Sequence, residues 1–111
     1  MKINHQVQDR ITVVTMEGDL TLDELEPLRK IVGDQLAASN YDFVVDLSLV
    51  DFVDSKGLET LIWIQEQAAD RLGQVRLASL TSSVKQILRM TRLERNFESH
   101  ESVDKALKSL R

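Results

Sequence analysis

The chain has 111 residues, of which 42% are apolar and 29% are charged, and its formal net charge at pH 7 is -4. This length supports one domain over residues 1–111, and the acidic balance excludes nucleic acid as a main partner, because such a partner requires clustered Lys and Arg. The absence of cysteine excludes disulfides and thiol chemistry, and without a signal peptide or the ~20 apolar residues of a membrane span we expect a cytoplasmic protein with no membrane partner.

The N-terminal segment predicts a β-hairpin. Alternating apolar residues indicate a weak strand at Ile3–Val7 and a stronger β-branched strand at Ile11–Glu17, with a turn at Gln8–Arg10 between them. Gly18 follows the second strand, and we expect it to occupy a backbone conformation with positive φ. The chain therefore opens with two antiparallel strands.

The first helix has two competing start signals. Thr21 and Glu24 have the spacing of a capping box, but Pro27 has no N–H and is tolerated only in the first turn of a helix. We therefore expect regular helix from about Glu24, with Thr21–Asp23 as an irregular lead-in and Ser39–Asn40 as the end. Its apolar stripe consists of Leu25, Leu28, Val32 and Leu36.

A second long helix follows the central strand. It is predicted to run from Ser55 or Lys56 to Leu72, with Gly73 in the left-handed conformation that ends many helices. Its apolar face consists of Leu58, Leu61, Ile62, Ala68, Ala69 and Leu72. Trp63 is expected roughly opposite that face, because each residue advances ~100° around the helix axis.

The remaining elements complete a repeating order of strands and helices. They are a strand buried on both faces at Tyr41–Leu47, a strand at Gln74–Ser79, a helix from about Ser82 to Met90, a short strand at Phe97, and a terminal helix that starts at Ser99 or His100. Strands that alternate with helices imply mainly parallel, right-handed crossovers. We expect a single α/β domain with about four helices, whose mixed and mainly parallel sheet follows the N-terminal hairpin.

Three carboxylates and a serine mark the junction between the central strand and its helix. Asp46, Asp51 and Asp54 precede Ser55 within the stretch Val44–Leu61. The start of a helix carries partial positive charge and unpaired N–H groups, which suit an anion. Ser55 can be an ordinary N-cap, or it can carry a phosphate that adds nearly two negative charges beside these acids. The residues alone leave both possibilities open, and the second is a charge switch.

Catalytic and metal-dependent alternatives have less support. The side chains with oxygen ligands suited to Mg²⁺ are those of Asp19, Asp46, Asp51 and Asp54. A response-regulator receiver domain would also place an acceptor aspartate after a strand. However, such a domain has an acidic pair after its first strand and a lysine after its last strand, and both are missing here. His5 and His100 are expected to be solvated, and the four glycines are isolated rather than grouped in a phosphate-binding loop. We expect no enzyme activity, no cofactor and no metal site.

Trp63 has two interpretations. A neighbouring helix can cover it, or it can be an exposed anchor, because Trp is enriched at interface hot spots. In the second case Ile64 widens an apolar patch, and Trp63 belongs to the same binding surface as Ser55.

In these residues the chain resembles the STAS domain, the family named for sulfate transporters and anti-sigma factor antagonists, and within it the small bacterial antagonists. The similarity extends over Gly18–Leu20, Val44–Leu61 and Leu88–Phe97, and its most specific part is Asp54–Leu58. The resemblance implies that Ser55 is phosphorylated by an anti-sigma factor that is also a serine kinase. It further implies that the unphosphorylated chain binds this factor and frees the sigma factor, that phosphorylation abolishes binding, and that a serine phosphatase restores it.

The resemblance also implies roles for the residues around Ser55. Asp54 and Asp19 would shape recognition, Lys56 would modulate it, and Gly57 would allow a close approach of the backbone. The full set of expected partner-binding residues is Asp19, Thr21, Asp51, Asp54, Ser55, Lys56, Gly57 and Trp63. We expect a monomer or a weak homodimer. The alternative is a STAS-like scaffold in a signalling complex or a transport system, in which Ser55 is only a helix cap.

Three positions depart from the family pattern. Thr21 stands where the antagonists usually carry an aspartate, and Lys56 stands where a small residue often follows the phosphoserine. Arg92 replaces the glycine of a common Thr-Gly-Leu sequence. If a left-handed helix cap is kept at Arg92, a non-glycine residue there costs about 1 kcal/mol.

Overall fold

A computed structural model describes residues 2–111, apart from the side chain of Glu24. Its strands and helices are β1 (Lys2–Gln8), β2 (Ile11–Glu17), α1 (Leu25–Ala37), β3 (Asp42–Leu49), α2 (Ser55–Ala69), β4 (Val75–Ala78), α3 (Ser82–Met90), β5 (Glu98–His100) and α4 (Val103–Leu110). A 3₁₀ turn at Leu22–Glu24 precedes α1. Over this range, none of the helices is long and apolar enough to cross a membrane.

The strands form one sheet in the order β1-β2-β3-β4-β5. β1 and β2 are antiparallel and are joined by a tight turn, in which Asp9 and Arg10 have φ values of 52° and 64°. From β2 to β5 each strand is parallel to its neighbour. The predicted hairpin and the mixed, mainly parallel sheet of an α/β domain are therefore confirmed.

Helices cover both faces of the sheet. The larger core lies between the sheet and α1, α2 and α3, and includes Phe43 and Val45 from β3. A smaller core lies under α4, where Ala106 and Leu107 belong to the same cluster as Val44. β3 thus alternates its side chains between two buried layers, as its nearly continuous apolar run predicts.

The start of α1 agrees with the constraint imposed by Pro27. Regular helix begins at Leu25 after the 3₁₀ turn, which places Pro27 in the first turn, where its N–H is not needed. The predicted stripe is confirmed, because the buried residues of the helix are Leu25, Leu28, Val32 and Leu36.

Three helices end with a non-glycine residue in the left-handed conformation. After α1, α2 and α3 these residues are Ser39, Leu72 and Arg92, with φ values of 67°, 63° and 62°. At α2, the N–H of Leu72 donates to the carbonyl of Ala69 at 2.9 Å, and that of Gly73 donates to Ala68 at 2.7 Å. This pair of bonds defines a Schellman motif, and the equivalent pair also closes α1 and α3.

The end of α2 corrects the sequence prediction. The helix stops at Ala69 rather than Leu72, and both residues are exposed instead of lying on the apolar face. Gly73 is required for space, since a Cβ atom there would collide with the carbonyl oxygen of Tyr41. The left-handed conformation that we predicted for Gly73 is found at Leu72 instead.

The C-terminal elements start later than predicted. Phe97 is buried immediately before β5 and does not belong to the strand. α4 starts at Val103, because the hydroxyl of Ser102 accepts from the N–H of Lys105 at 3.1 Å and caps the helix there. His100 consequently lies in a strand and is partly buried, whereas we expected it to be solvated.

Candidate functional site

The loops that follow β2 and β3 run side by side. Gly18 donates to the carbonyl of Leu49 at 3.0 Å, and Leu20 donates to that of Phe52 at 2.9 Å. Leu20 also forms an isolated parallel bridge with Val53. Gly18 has a φ of 115°, a conformation that residues with a Cβ atom rarely adopt. These bonds fix the two loops against each other.

The Asp54 side chain joins both loops to the start of α2. Its Oδ1 atom accepts from the N–H of Gly57 at 2.7 Å, and its Oδ2 atom accepts from the N–H of Leu22 at 3.0 Å. Asp54 is therefore the N-cap of α2, and Ser55 is its first helical residue. This corrects the N-cap role considered for Ser55, since a carboxylate one residue earlier already binds the N–H group.

Ser55 is exposed at the start of α2. Because Asp54 makes the capping hydrogen bond, the helix does not need the Ser55 hydroxyl for that purpose. The hydroxyl stands at the positive end of the helix dipole, near the unpaired N–H groups of the first turn. A hydroxyl in this position can be modified without removal of the helix cap.

Gly57 lets the loop after β2 approach α2 closely. It is buried, and a Cβ atom built on it would collide with the carbonyl oxygen of Leu20 and lie 2.8 Å from Cγ1 of Val53. The same Leu20 carbonyl accepts from the N–H of Asp54 at 3.1 Å. A side chain at Gly57 would therefore separate the two loops from the helix.

Thr21 does not form the predicted capping box. Its backbone is extended, and its side chain makes no capping hydrogen bond to the 3₁₀ turn. The N–H of Leu22 is bound instead by Asp54, which is distant in sequence and adjacent in the fold. The side chain of Glu24, the other half of the predicted box, lies outside the described part of the chain. Thr21 is partly buried beside this contact.

Lys56 forms an ion pair within α2. Its Nζ atom lies 3.1 Å from Oε2 of Glu59, and both side chains are more than half exposed. Exposed pairs of this kind contribute about 0.2–1 kcal/mol. Lys56 can therefore leave Glu59 for a stronger anion at low cost.

The carboxylates near the start of α2 have different surroundings. Asp19 and Asp51 are exposed, whereas Asp46 is partly buried and accepts from the N–H of Ser48 at 3.0 Å. Within the described residues, no group of three or more His, Asp or Glu side chains is placed to hold a metal ion. Asp19 and Asp51 add negative charge to the surface, while Asp46 and Asp54 bind backbone N–H groups.

Three exposed apolar residues flank this site and are missing from the sequence prediction. Leu22, Leu49 and Phe52 are 61%, 55% and 48% exposed. Leu22 is bound to Asp54, and the other two accept hydrogen bonds from the loop after β2. No sequence signal separates Leu49 and Phe52 from the buried Leu47, Val50 and Val53 in the same apolar stretch. These exposed apolar side chains are candidates for contact with a partner.

Trp63 packs between α2 and α1. It is partly buried against the larger core, and the guanidinium of Arg29 lies 5.4 Å from the centroid of its ring. This agrees with the first interpretation of Trp63, in which a neighbouring helix covers it. Ile64 is buried and does not widen an exposed patch. Trp63 lies ~12 Å from Ser55 along the helix axis, and its role as an interface anchor stays a prediction.

Comparison with known proteins identifies a family. The sequence model of the STAS domain matches residues 2–106 of this chain. A protein of Thermotoga maritima, provisionally designated an anti-sigma factor antagonist, superimposes with a TM-score of 0.89 at 20% sequence identity. That superposition covers 97% of this chain and 93% of the other.

Two further solved structures share the fold. The phosphorylated form of the Bacillus cell fate determinant SpoIIAA has a TM-score of 0.77 at 13% identity, with 99% of this chain and 100% of that chain covered. A sulfate transporter family protein from Wolinella succinogenes has a TM-score of 0.81 at 17% identity, with 95% and 88% covered. At such low sequence identities, these three similarities show the fold alone.

Proposed function

The chain belongs to the STAS domain family, and from this premise we propose that it is a cytoplasmic binding module controlled by phosphorylation. It antagonises an anti-sigma factor that is also a serine kinase, with Ser55 as the phosphoacceptor, and a serine phosphatase reverses the modification. It acts by binding and not by catalysis. The observation that carries the proposal is the exposed Ser55 hydroxyl at a helix start whose cap is supplied by Asp54.

A phosphate on Ser55 is compatible with the structure around it. It would stand at the positive end of the α2 dipole, where anions are stabilised. Lys56 could turn from Glu59 toward the phosphate, because its present ion pair is exposed and weak. Asp54 would keep its hydrogen bonds in both states. The helix start therefore remains capped whether or not Ser55 is modified, as a reversible switch requires.

The surface around Ser55 supports a role of phosphate in blocking a partner. The exposed side chains of Leu22, Leu49 and Phe52 offer apolar contact area. A phosphate adds about -1.5 to -2 charges, and the loss of water around such a charge in an apolar contact is costly. We therefore expect the unphosphorylated form to bind its partner and the phosphorylated form to be released.

The second candidate function is a STAS scaffold that is never phosphorylated, in a signalling complex or a transport system. The fold that this chain shares with a sulfate transporter family protein favours it. Ser55 would then have neither a switch role nor a capping role, since Asp54 caps the helix.

Calorimetric titration with each anti-sigma factor kinase of the source organism separates the two candidates. We expect Ser55→Ala to bind as the wild type does, and Ser55→Asp to bind about a hundredfold more weakly, which corresponds to ~2.7 kcal/mol. Lys108→Gln is the matched control, because it makes the same change in net charge at an exposed position of α4, on the opposite face of the sheet. Equal binding by all variants supports the scaffold, and no binding by the wild type to any of these kinases rejects the proposal.

A further inference from the structure

A groove between α3 and β5 lies outside the site described above. Its volume is about 390 Å³, which is within the range of about 300–1,000 Å³ for small-molecule sites. Its apolar lining consists of Leu77, Leu80, Leu88 and Phe97. Three of these four side chains are buried members of the larger core, so the apolar surface of the groove is part of a packed and rigid structure.

The mouth of this groove is positively charged. Lys85, Arg89 and Arg95 line it together with a single carboxylate, that of Glu94. Arg89 Nε lies 3.7 Å from Oε2 of Glu94, so these two charges largely offset each other. No salt bridge joins Lys85 or Arg95 to a carboxylate that the structure describes, although Lys85 lines the adjoining cavity together with Glu101. The groove itself thus has three cations to one carboxylate in a chain whose net charge is -4.

A second, smaller cavity continues the groove along β5. Its volume is about 200 Å³, and it shares Leu80, Lys85 and Ser99 with the first cavity. His100 and Glu101 also line it, and the Nε2 atom of His100 lies 3.4 Å from Oε1 of Glu98. The second cavity therefore adds polar lining to the groove, and its histidine already faces a carboxylate.

We infer that the groove binds a small amphipathic carboxylate. The apolar body of the ligand lies on Leu80, Leu88 and Phe97, and its carboxylate lies between Lys85 and Arg95. The inference does not rest on the phosphorylation of Ser55, because the groove and the loops around Ser55 have no residue in common. An apolar surface alone would favour an uncharged ligand, whereas the excess of cations over carboxylates at the mouth favours an anion.

The test is a titration of the full chain with octanoate, in which NMR records the chemical shifts of the backbone amides. We expect saturable binding, with the largest shifts in α3 and at Phe97 and Ser99. Acetate has the charge without the apolar body, and octanol has the apolar body without the charge, so both are expected to bind at least about tenfold more weakly. Shifts scattered over the surface, or octanol binding as tight as octanoate binding, would overturn the inference.

Charge variants test the assignment of the carboxylate position. Lys85→Gln and Arg95→Gln are each expected to weaken octanoate binding about tenfold, because each removes a charge-assisted hydrogen bond. Arg71→Gln is the matched control, since Arg71 is an exposed arginine beyond the end of α2 and outside the groove. We expect no change for this variant. Equal affinities for all three variants and the wild type would contradict the proposed site.

Discussion

The helices α2 and α3 begin in the same way but in different surroundings. Each has an exposed serine directly after its N-cap, Ser55 after Asp54 and Ser82 after Thr81. Both serines stand at the positive end of a helix dipole, so either helix could stabilise a phosphate. The position of a serine at a helix start therefore does not identify a switch.

The difference between the two helix starts lies in what the cap contacts. Thr81 accepts from the N–H of Val84 at 3.3 Å and donates to the carbonyl of Val50 at 2.9 Å, so it attaches α3 to a buried residue. Asp54 binds the N–H of Leu22 and so joins a second loop that carries an exposed apolar side chain. The loop that the cap binds, rather than the helix start, therefore distinguishes Ser55 from Ser82.

The largest expected effect is on partner binding, when the serine at the start of α2 or of α3 is replaced by aspartate. Ser55→Asp should weaken binding of the partner kinase about a hundredfold, and Ser82→Asp should change it by less than about threefold, because only the cap beside Ser55 binds the loop that carries Leu22. Calorimetric titration measures both, with circular dichroism as the check on folding. Equal losses of affinity would show that the neighbourhood of Ser55 is not what matters.

The next effect concerns the stability of the two caps. Asp54→Ala should lower the free energy of unfolding by about 2–3 kcal/mol, because it removes a cap and a second hydrogen bond between loops. Thr81→Ala should lower it by about 1–2 kcal/mol. Urea unfolding compares them, and Asp54→Asn, which keeps one acceptor oxygen, should fall between Asp54→Ala and the wild type. A loss for Asp54→Ala no larger than that for Thr81→Ala would contradict the joining role of the carboxylate.

A smaller effect is expected at Phe52, where a substitution should change partner binding more than stability. Phe52→Ser should weaken partner binding about tenfold, or ~1.4 kcal/mol, while the free energy of unfolding changes by no more than about 0.5 kcal/mol, since the side chain is exposed. Met90→Ser, at a more exposed apolar position at the end of α3, should change neither quantity. The expected role of Phe52 is wrong if both variants bind as the wild type does.

Glycine substitutions after the C-terminal ends of α2 and α3 should change the free energy of unfolding by similar amounts. Leu72→Gly after α2 and Arg92→Gly after α3 should each raise the free energy of unfolding by about 0.5–1 kcal/mol, because glycine adopts a left-handed φ without strain. Thermal or urea unfolding measures the gain. A loss of stability at either position would mean that the Schellman geometry is not strained there.

The smallest effect is expected for the stability of Ser55→Ala. Because Asp54 caps α2, removal of the Ser55 hydroxyl should change the free energy of unfolding by less than about 0.5 kcal/mol. Ser102→Ala, which removes the actual cap of α4, should cost about 1 kcal/mol. A comparable cost at Ser55 would restore the capping role that the structure gives to Asp54.

The sequence predicted most of the fold because apolar periodicity controls burial. The stripe of α1, the doubly buried β3 and the hairpin all follow from residue spacing. Helix ends were predicted less well. Asp54 and Ser55 are both good N-cap residues, and only the position of the loop after β2 decides between them. Gly73 was predicted to take the left-handed position because glycine adopts positive φ freely. It is Leu72 that takes this position, and Gly73 is needed because a Cβ atom there would collide with the carbonyl of Tyr41.

The candidate site was predicted in part. Ser55 and its acidic neighbours could be selected from the strand, the helix start and the family resemblance. The outward direction of Leu22, Leu49 and Phe52 could not, because backbone bonds between two loops distant in sequence determine it. The choice between the two interpretations of Trp63 could not be made either, since single-helix geometry does not show the cover by α1.

The most direct test of the switch maps phosphate after incubation of the chain with ATP and its cognate anti-sigma factor kinase. Mass spectrometry of the intact chain and of its peptides should find one phosphate, on Ser55, and the Ser55→Ala variant should remain unmodified. Ser82, at the other helix start, should also remain unmodified. Phosphate on another residue, or none with a kinase shown to be active on a second substrate, would contradict the switch.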